Sequence, residues 1–544
     1  SAAGSDWQEW RVRDLQTGKD LPDVVKWIKF SGVAWTKDSK GFFYGRYDEP
    51  KNLGKSLEDL NFFHKLYYHR LGTPQSQDAL VYEDKTHKEW QFVPAVTDDG
   101  KYLIVTVSKG TDHKYRILYK ALDKPSSKFV ELINNFDAEY TFIDNDGPVF
   151  YFKTDLKSPK AKIIAIDVRK PSERRDLIAE SADTLQHVAL VNNQFVASYL
   201  HDATTQVKVF DRTGKLVKDI ALPGLGTSIG FGGRRNYKET FYAFTSYNTP
   251  PIIYRLDLAT FESKVWKQPQ LKFNPQDFET KQVFYPSKDG TKIPMFLTSR
   301  KGLQQNGQNP TYLYGYGGFN IPIVPGFSVA DLVWMEHGGL IAYANLRGGG
   351  EYGEEWHRAG TKLRKQNVFD DFIGAAEWLI QNKYTASPKL AIAGGSNGGL
   401  LVGACITQRP ELFGAAIPAV GVMDMLRFHK FTIGWEWIDD YGSSDDAAEF
   451  KALRAYSPYH NLKPGTSYPA TMVTTADHDD RVVPGHSFKF AAALQAAQKG
   501  TAPTLIRIDV RAGHGAGKPT GKRIDEATDR LSFLGKALGI DLSK

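Results

Sequence analysis

The sequence changes its pattern near residue 270, and this change limits the folds that the chain can adopt. Before that point, short apolar runs alternate with turns rich in Asp, Asn, Gly and Lys, which predicts an all-β region. After that point, strand-like runs alternate with amphipathic helical stretches, which predicts a mostly parallel sheet with helices on both faces. A chain of 544 residues is also too long for a single core. Two domains, 1–270 and 271–544, are therefore expected.

The strands of the first region fall into groups of similar length. Comparable strand-opening segments begin near residues 31, 91, 138, 184 and 227, at spacings of 60, 47, 46 and 43 residues. A propeller blade of four strands takes roughly 40–50 residues. Residues 1–270 are therefore predicted to form about five blades of a β-propeller. A large β-sandwich is the alternative, because the repeats are weak in sequence.

Composition excludes several classes of protein. Hydrophobic residues make up 41% and charged residues 24%, which is typical of a soluble globular protein. The net charge of +7 comes from scattered basic residues, so no nucleic-acid partner is expected. No apolar stretch approaches the roughly 20 residues that span a bilayer, so no membrane partner is expected either. The single cysteine and the absence of a visible secretion signal leave both a cytoplasmic and a periplasmic location open.

Ser396 lies where a predicted strand turns into a predicted helix. The strand at 389–395 ends in the sequence GGSNGG (394–399), which contains the G-x-S-x-G pattern of a nucleophile elbow. Glycines permit a sharp, strained turn that presents the serine hydroxyl above the sheet. The helix that follows directs N–H groups to a developing oxyanion, and Asn397 carries the expected first donor. A Gly-rich turn can match this pattern by chance, so the strand-to-helix context supports the prediction that Ser396 is a nucleophile.

Two clusters after Ser396 could supply a base and an acid, which follow the serine in α/β-hydrolases. The first follows the predicted strand 470–477 and contains three carboxylates and a histidine: Asp477, His478, Asp479 and Asp480. The second follows the strand 504–510 and contains His514 between small residues, which allow its ring to approach the serine. The three carboxylates compete for the role of orienting His514, and His478 is the rival base. No second His or Cys cluster has metal-ligand spacing, so neither a metal nor another cofactor is expected.

Several segments of the second region closely resemble the prolyl oligopeptidase family. They are LYGYGGFN (313–320), NLRGGGEYGEEWH (345–357), GGSNGG (394–399), VGVMDMLRFHKFTIG (420–434), YSPYHN (456–461), ADHDDRVVPGHSFKF (476–490) and AGHGAGKPT (512–520). The resemblance covers the whole second region and is looser in the first. It implies an α/β-hydrolase catalytic domain with a β-propeller, and a triad of Ser396, Asp479 and His514.

The resemblance also implies roles for residues around the triad. The Tyr316 hydroxyl would join the Asn397 N–H in an oxyanion hole, Trp437 would stack on a substrate proline, and Arg481 would bind the substrate backbone. The remaining residues expected to line the pocket are Phe319, Val422 and Tyr441. Proline is flat and apolar and lacks an N–H, so aromatic faces suit it. On the residues alone, Trp437 could equally be a core residue, and Arg481 could pair with a neighbouring aspartate.

The function that the resemblance implies is a serine endopeptidase that cleaves short peptides after proline, acts as a monomer and needs no cofactor. The propeller would cap the active site and exclude folded proteins. Members of the family begin with a further segment and have a seven-bladed propeller, so the propeller of this chain is expected to be truncated at its N-terminus.

Four other functions stay open on the sequence alone. Cleavage after Lys or Arg would need carboxylates in the specificity pocket, and the aromatic Trp437 argues against them. A dipeptidyl aminopeptidase would need an acidic pair in the propeller to bind a free amine, and no such pair is evident in the sequence. A simple esterase would share the triad without needing the β-rich region. A binding protein with an inactive hydrolase domain is the remaining alternative.

Overall fold

The computed structural model describes residues 2–50, 57, 60–124 and 126–542. The first sheet is a two-stranded antiparallel hairpin of β1 (Gln8–Arg13) and β2 (Asp20–Ile28). Five four-stranded antiparallel sheets follow, and in each sheet every strand pairs with the next one along the chain. Such up-and-down sheets are the blades of a β-propeller.

The five blades are numbered in chain order. Blade 1 contains β3 (Val33–Trp35), β4 (Gly41–Arg46), β5 (Lys65–Arg70) and β6 (Ala79–Tyr82). Blade 2 contains β7 (Trp90–Val96), β8 (Tyr102–Lys109), β9 (Arg116–Ala121) and β10 (Val130–Ile133). Blade 3 contains β11 (Thr141–Asp146), β12 (Val149–Thr154), β13 (Lys162–Asp167) and β14 (Arg174–Ile178). Blade 4 contains β15 (Thr184–Val191), β16 (Gln194–His201), β17 (Thr204–Phe210) and β18 (Leu216–Ile220). Blade 5 contains β19 (Thr227–Gly230), β20 (Glu239–Ser246), β21 (Thr249–Asp257) and β22 (Ser263–Lys267).

The prediction of about five blades is confirmed, and the predicted strand-opening segments lie close to the first strands of the five blades. The turns between strands explain why the spacing of the blades could be recognised in the sequence. Between β7 and β8, the Asp99 carboxylate accepts hydrogen bonds from the Thr97 hydroxyl (2.6 Å) and the Lys101 N–H (3.0 Å). Gly100 takes a φ of 74° there, which glycine adopts without strain. A short Asp-Gly turn of this kind ends one strand and starts the next.

The second region is built on one eight-stranded sheet. Its strands are β23 (Phe278–Pro286), β24 (Lys292–Arg300), β25 (Thr311–Tyr314), β26 (Leu340–Ala344), β27 (Leu390–Gly395), β28 (Ala415–Ala419), β29 (Ala470–Ala476) and β30 (Thr504–Asp509). Their order in the sheet is β23-β24-β26-β25-β27-β28-β29-β30. The pairings of β23 with β24 and of β24 with β26 are antiparallel, and the others are parallel. The predicted parallel sheet is present, and the sequence analysis missed β23, β24 and β28.

Helices cover both faces of this sheet, as predicted. They are α1 (Val329–Glu336), α2 (Glu354–Arg358), α3 (Gln366–Gln381), α4 (Asn397–Gln408), α5 (Ile438–Tyr441), α6 (Ala447–Tyr456), α7 (Pro458–Asn461), α8 (Gly485–Ala497) and α9 (Thr520–Leu538). The larger core packs α3, α4 and α8 on the sheet through residues such as Phe372, Leu401 and Phe490. A second core packs α1 and α9 on the sheet, through Trp334 and Leu534 among others.

The change of architecture falls where the sequence pattern changes. The last strand of the blades, β22, ends at Lys267, and the first strand of the large sheet, β23, begins at Phe278. The domain boundary near residue 270 itself stays a prediction. None of the helices in the described part of the chain has both the length and the hydropathy that crossing a bilayer requires.

Candidate active site

Ser396 occupies a sharp turn between β27 and α4. Its φ of 58° and ψ of −118° form a conformation that residues with a side chain rarely adopt. A Cβ atom on Gly394 would lie 2.4 Å from the Gly398 carbonyl oxygen, and one on Gly398 would lie 2.7 Å from the carbonyl oxygen of Gly315. The two glycines of the G-x-S-x-G pattern are therefore required by the close approach of the backbone. This turn is the predicted elbow, and it places Ser396 at the carboxyl edge of the sheet.

His514 and Asp479 form a hydrogen-bonded pair at the same edge of the sheet. Nδ1 of His514, which follows β30, lies 2.7 Å from Oδ2 of Asp479, which follows β29. Asp479 is fully buried, and its Oδ1 accepts the N–H groups of Arg481 (3.1 Å) and Val482 (2.9 Å). These bonds fix the carboxylate, which in turn orients the imidazole and leaves its Nε2 available as a base.

The two rival carboxylates have other partners. Asp477 contacts Nδ1 of the neighbouring His478 at 2.6 Å, and the side chain of His478 is 52% exposed. The Asp480 carboxylate accepts a hydrogen bond from the buried Lys29 ammonium at 2.9 Å. The sequence left the three carboxylates open, and the geometry pairs Asp479 with His514.

Ser396 and His514 both lie near the end of β28. Ala419, at the end of β28, accepts the N–H of Ser396 through its carbonyl oxygen at 2.8 Å. The same residue lines a small cavity of about 140 Å³ together with His514. Because β27 to β30 lie side by side, the residues that follow them meet at one edge, where ligands bind in open α/β sheets.

Tyr316 and Asn397 lie beside the serine. Burial raises the pKa of Tyr316 far above its usual value, and a hydrogen bond with the Ser396 side chain acts in the opposite direction. The phenol therefore stays protonated at neutral pH and can donate a hydrogen bond. The Asn397 side chain donates to the Tyr316 carbonyl oxygen at 2.6 Å, and its backbone N–H lies at the start of α4. Both groups are hydrogen-bond donors next to Ser396, and donors of this kind can stabilise a negative oxygen.

Ser396 lines a cavity of about 620 Å³ between the blades and the large sheet. Six of the other residues predicted from the sequence also line it: Tyr316, Phe319, Val422, Trp437, Tyr441 and Arg481. The opposite wall comes from blades 2 and 3, with residues such as Val93 and Phe142. Ser396 thus shares one cleft with an aromatic pocket on one side and with the propeller on the other.

Family models match most of the chain. Residues 1–269 match the model described as prolyl oligopeptidase, N-terminal beta-propeller domain, and residues 325–541 match the model described as prolyl oligopeptidase family. The chain belongs to the prolyl oligopeptidase family. It is therefore a serine-type peptidase, as the resemblance of its motifs implied.

Individual members of the prolyl oligopeptidase family are similar along nearly the whole chain. The prolyl endopeptidase of Elizabethkingia miricola is 47% identical over 543 residues, which cover 99% of this chain and 76% of the relative. A solved structure from a study of two prolyl endopeptidases matches with a TM-score of 0.94 at 40% identity, over 99% of this chain and 79% of that chain. Prolyl oligopeptidase B from Galerina marginata, bound to a 25mer macrocyclization substrate, matches with a TM-score of 0.93 at 38% identity, over 99% and 78% of the two chains.

One expectation taken from the family needs correction. A propeller truncated at its N-terminus was expected, because the chain has room for five blades. This expectation is not borne out by the match, which aligns 99% of this chain with a solved relative. Each of the five blades also has its full set of four strands, and β1 and β2 form a sheet of their own.

The aromatic residues of this family member pack on one another around the cleft. The rings of Phe319 and Tyr441 meet edge to face at 5.3 Å between centroids, and Trp437 stacks near Phe428 at 6.2 Å. Trp437 is 7% exposed. It is therefore both a packed residue and part of the cavity wall, so the two interpretations that the sequence left open each describe part of its environment.

Arg481 has a partner that the sequence did not indicate. Its guanidinium donates two hydrogen bonds to the Asp6 carboxylate, at 2.9 and 2.7 Å. The alternative that the sequence left open, an ion pair with Asp479 or Asp480, is not formed, and those carboxylates contact His514 and Lys29 instead. The side chain of Arg481 stays 36% exposed and lines the cleft.

Sequence reasoning missed a contact that joins the propeller to the pocket. The Gln91 amide of blade 2 donates to the Glu436 carboxylate at 2.7 Å, and the Thr111 hydroxyl donates to the Glu436 carbonyl oxygen at 2.9 Å. Burial raises the pKa of Glu436 to about 7. Glu436 precedes Trp437, so the propeller holds the segment that carries this residue. A glutamate between two tryptophans was the only signal in the sequence.

Metal ligands are not clustered in the part of the chain that the structure describes, where no group of three or more His, Cys, Asp or Glu side chains could hold an ion.

Proposed function

We propose that this chain is a prolyl endopeptidase that hydrolyses short peptides on the carboxyl side of proline. The observation that supports this proposal is the single cleft in which the strained Ser396 and the aromatic side chains of Phe319, Trp437 and Tyr441 meet. The prolyl endopeptidases that share up to 47% identity with the chain support the same specificity.

The proposed reaction is acyl transfer through Ser396. The serine oxygen attacks the carbonyl carbon after proline, and Nε2 of His514 takes the serine proton while Asp479 stabilises the imidazolium. The Tyr316 hydroxyl and the Asn397 N–H stabilise the oxyanion. His514 then gives the proton to the leaving amine, and the C–N bond breaks to leave an acyl-enzyme. A water molecule, deprotonated by His514, hydrolyses the ester and restores the serine.

The pocket explains the choice of proline. A pyrrolidine ring has no N–H to satisfy, so it gains from apolar burial and from contact with aromatic faces. Val422 and Trp437 form part of the cavity wall on the hydrolase side. Asp112, on the propeller wall, is the carboxylate among the described lining residues. Cleavage after Lys or Arg would need a carboxylate at the base of the pocket. Because Asp112 lies on the propeller wall instead, the lining of the pocket favours proline.

We further propose that residues 1–270 restrict access to the active site of the domain 271–544. The blades form the wall opposite Ser396, so a substrate must fit between the two regions. A folded protein presents no free segment that could enter such a cleft, whereas a short peptide can. We expect the protein to act as a monomer, because one chain supplies both the triad and the pocket.

The test compares a blocked Gly-Pro-anilide with the matching Gly-Arg-anilide. We expect release of the chromophore from the proline substrate only, and we expect the Ser396→Ala variant to lose roughly 10⁶-fold in kcat, as a triad serine does in other proteases. Cleavage of the arginine substrate at a similar rate would refute the specificity. Hydrolysis that survives in the variant would refute the role of Ser396.

A further inference from the structure

The loop at 315–320, named here the oxyanion loop, carries two of the residues to which the proposed function assigns roles. Tyr316 supplies the hydroxyl beside Ser396, and Phe319 forms part of the aromatic pocket. The loop has an unusual backbone, because Phe319 has a φ of 58° and Asn320 has a φ of 54°. A bulky residue keeps such a conformation only where the surroundings hold it.

Two buried charged side chains hold the oxyanion loop by its backbone. The Asp440 carboxylate accepts the N–H of Phe319 at 2.9 Å, and the Lys365 ammonium donates to the Gly317 carbonyl oxygen at 2.9 Å. Asp440 is 2% exposed and Lys365 is 1% exposed. A buried charge is costly unless it is paired and hydrogen-bonded. Burying these two charges carries a large desolvation cost, and their hydrogen bonds to the same six-residue loop offset part of that cost.

A histidine completes the cluster around Asp440. Nε2 of His357 lies 2.8 Å from the second carboxylate oxygen of Asp440, and Nδ1 lies 3.1 Å from the carboxylate of Glu354. Burial lowers the pKa of His357, but the hydrogen bonds to the two carboxylates outweigh it and raise the pKa to about 9. The imidazolium is therefore charged at neutral pH. It balances the charge of Asp440 through the carboxylate oxygen that does not accept the Phe319 N–H.

The residue that follows Asp440 in the chain contacts both the pocket and the start of α4. The Tyr441 hydroxyl donates to the Asn397 side-chain oxygen at 3.0 Å, and its ring packs edge to face on Phe319. The Asn397 amide in turn donates to the Tyr316 carbonyl oxygen. A shift of Asp440 would therefore move both the oxyanion loop and the wall of the pocket.

We propose that Asp440, together with His357 and Lys365, positions the oxyanion loop, so that one buried cluster sets the place of both the Tyr316 hydroxyl and the Phe319 ring. This inference rests on the proposed function and deepens it. The three residues touch no reacting atom, so they act as positioning residues. They affect the substrate indirectly, because they set the geometry of the oxyanion hole and the width of the proline pocket.

The test uses two probes that report separately on the two ends of the oxyanion loop. The labelling rate of Ser396 by a small fluorophosphonate depends on the oxyanion hole and not on proline. The affinity of a blocked aminoacyl-pyrrolidide, which has a proline-like ring without the scissile carbonyl, depends on the pocket. The protection of the Phe319 amide against hydrogen exchange reports on the loop itself and needs no activity.

Three variants divide the contributions of the cluster. Asp440→Ala removes the acceptor of the Phe319 N–H and the partner of His357. Asp440→Asn keeps an acceptor oxygen and removes the charge. Asp439→Asn is the matched control, since it removes a carboxylate one position earlier. We expect the alanine variant to lose roughly 100-fold in labelling rate, as the loss of an oxyanion donor does. Asp440→Asn should lose about 10-fold, and the control should stay within about twofold of the wild type.

The affinity for the pyrrolidide should fall about tenfold in Asp440→Ala, because the Phe319 ring loses its fixed place. If that variant does not fold, Lys365→Met removes the bond to Gly317 and should slow labelling about tenfold while changing pyrrolidide affinity less. The inference is overturned if Asp440→Ala has a lower melting temperature but unchanged labelling rate, affinity and Phe319 protection. The cluster would then have only a structural role.

The two proposals can fail separately. A wild-type protein that reacts with the fluorophosphonate but does not bind the pyrrolidide would refute the proline specificity alone. The labelling rates and the Phe319 protection would still support the positioning cluster if they fall in Asp440→Ala, and overturn it if they do not.

Discussion

The large sheet and the blades place their charged side chains differently. The hydrolase region contains enclosed charged pairs beside its surface pairs: the Arg347 guanidinium donates to the Asp371 carboxylate at 2.6 Å, and the two side chains are 6% and 0% exposed. Typical pairs of the propeller lie at its surface, such as Lys162 with Asp176 at 3.0 Å, where the aspartate is 60% exposed. The His69 pair with Asp78 is a buried exception. Most of the buried charged side chains thus lie in the hydrolase region, which also contains the candidate active site.

The hydrophobic cores of the two regions also differ, in their size and continuity. The larger core of the hydrolase region is continuous and joins β24, β27, α3, α4 and α8. Most of the smaller cores of the propeller lie between neighbouring blades, for example the one that packs Ile104 of blade 2 on Phe150 of blade 3. The propeller is therefore a series of local contacts, whereas the active site depends on long-range packing of one sheet.

The buried pair of Arg347 and Asp371 should contribute far more to stability than a surface pair of the propeller. Arg347→Met leaves Asp371 buried without its main partner, so we expect the free energy of unfolding to fall by about 3–5 kcal/mol. Lys162→Met is the matched change in the propeller and should cost less than about 1 kcal/mol. Denaturant unfolding of both variants measures the difference. Equal losses would show that the two regions do not differ in their use of charge.

A smaller effect is expected from the walls of the cleft. Trp437→Ala should lower kcat/KM for a proline peptide by roughly 10- to 100-fold, because a large aromatic contact with the substrate ring is removed. Val93→Ala, on the propeller wall, should change the same constant by less than about threefold. Labelling of Ser396 by a small fluorophosphonate should be nearly unchanged in both. A larger loss in the Val93 variant would assign the specificity to the propeller instead.

The smallest effect concerns the contact between the two regions at Glu436. Burial raises its pKa from 4.5 to about 7. The closed arrangement, in which Glu436 is buried in this contact, therefore binds the proton more tightly than an open one, in which the two regions would separate and expose Glu436. Closure is therefore fully favoured below about pH 4.5 and weakens as the pH rises towards 7. The charges that face Glu436 are those of Lys29, Arg481 and Asp6.

The ratio of labelling rates for a bulky and a small fluorophosphonate follows this opening without the pH dependence of the triad. For the wild type we expect this ratio to rise roughly two- to tenfold across that pH range. Glu436→Gln keeps an acceptor for Gln91 and carries no charge, so its ratio should stay at the low-pH value. A Gln variant that follows the wild-type curve would contradict the role of this carboxyl group.

Local patterns made much of the fold predictable. The blades could be counted because Asp-Gly turns and short strands recur along the chain, and the elbow could be located because its glycines are needed within five residues of each other. The strands β23 and β24 were missed, since an antiparallel edge has no helix between its strands to mark it. Their place in the sheet is set by contacts with the parallel strands that come later in the chain.

The site was predictable where its residues follow a strand, and less so where partners are distant. Six expected residues besides Ser396 line the cleft, yet the sequence could not choose Asp479 from three neighbouring carboxylates. That choice depends on the fold around β29 and β30. The contact of Asp440 with the Phe319 N–H joins positions 121 residues apart, and that of Gln91 with Glu436 joins positions 345 apart. Contacts between residues so far apart produce no recognisable spacing pattern in the sequence.

The single cysteine of the chain has a practical consequence. Cys405 lies inside α4 with no exposed surface, and burial raises its pKa far above the usual value, which keeps the thiol protonated and unreactive. We therefore expect the native protein not to react with thiol reagents. A dye or spin label carried by cysteines introduced on a blade and on a hydrolase loop would then report the distance between the two regions without any background from the native chain.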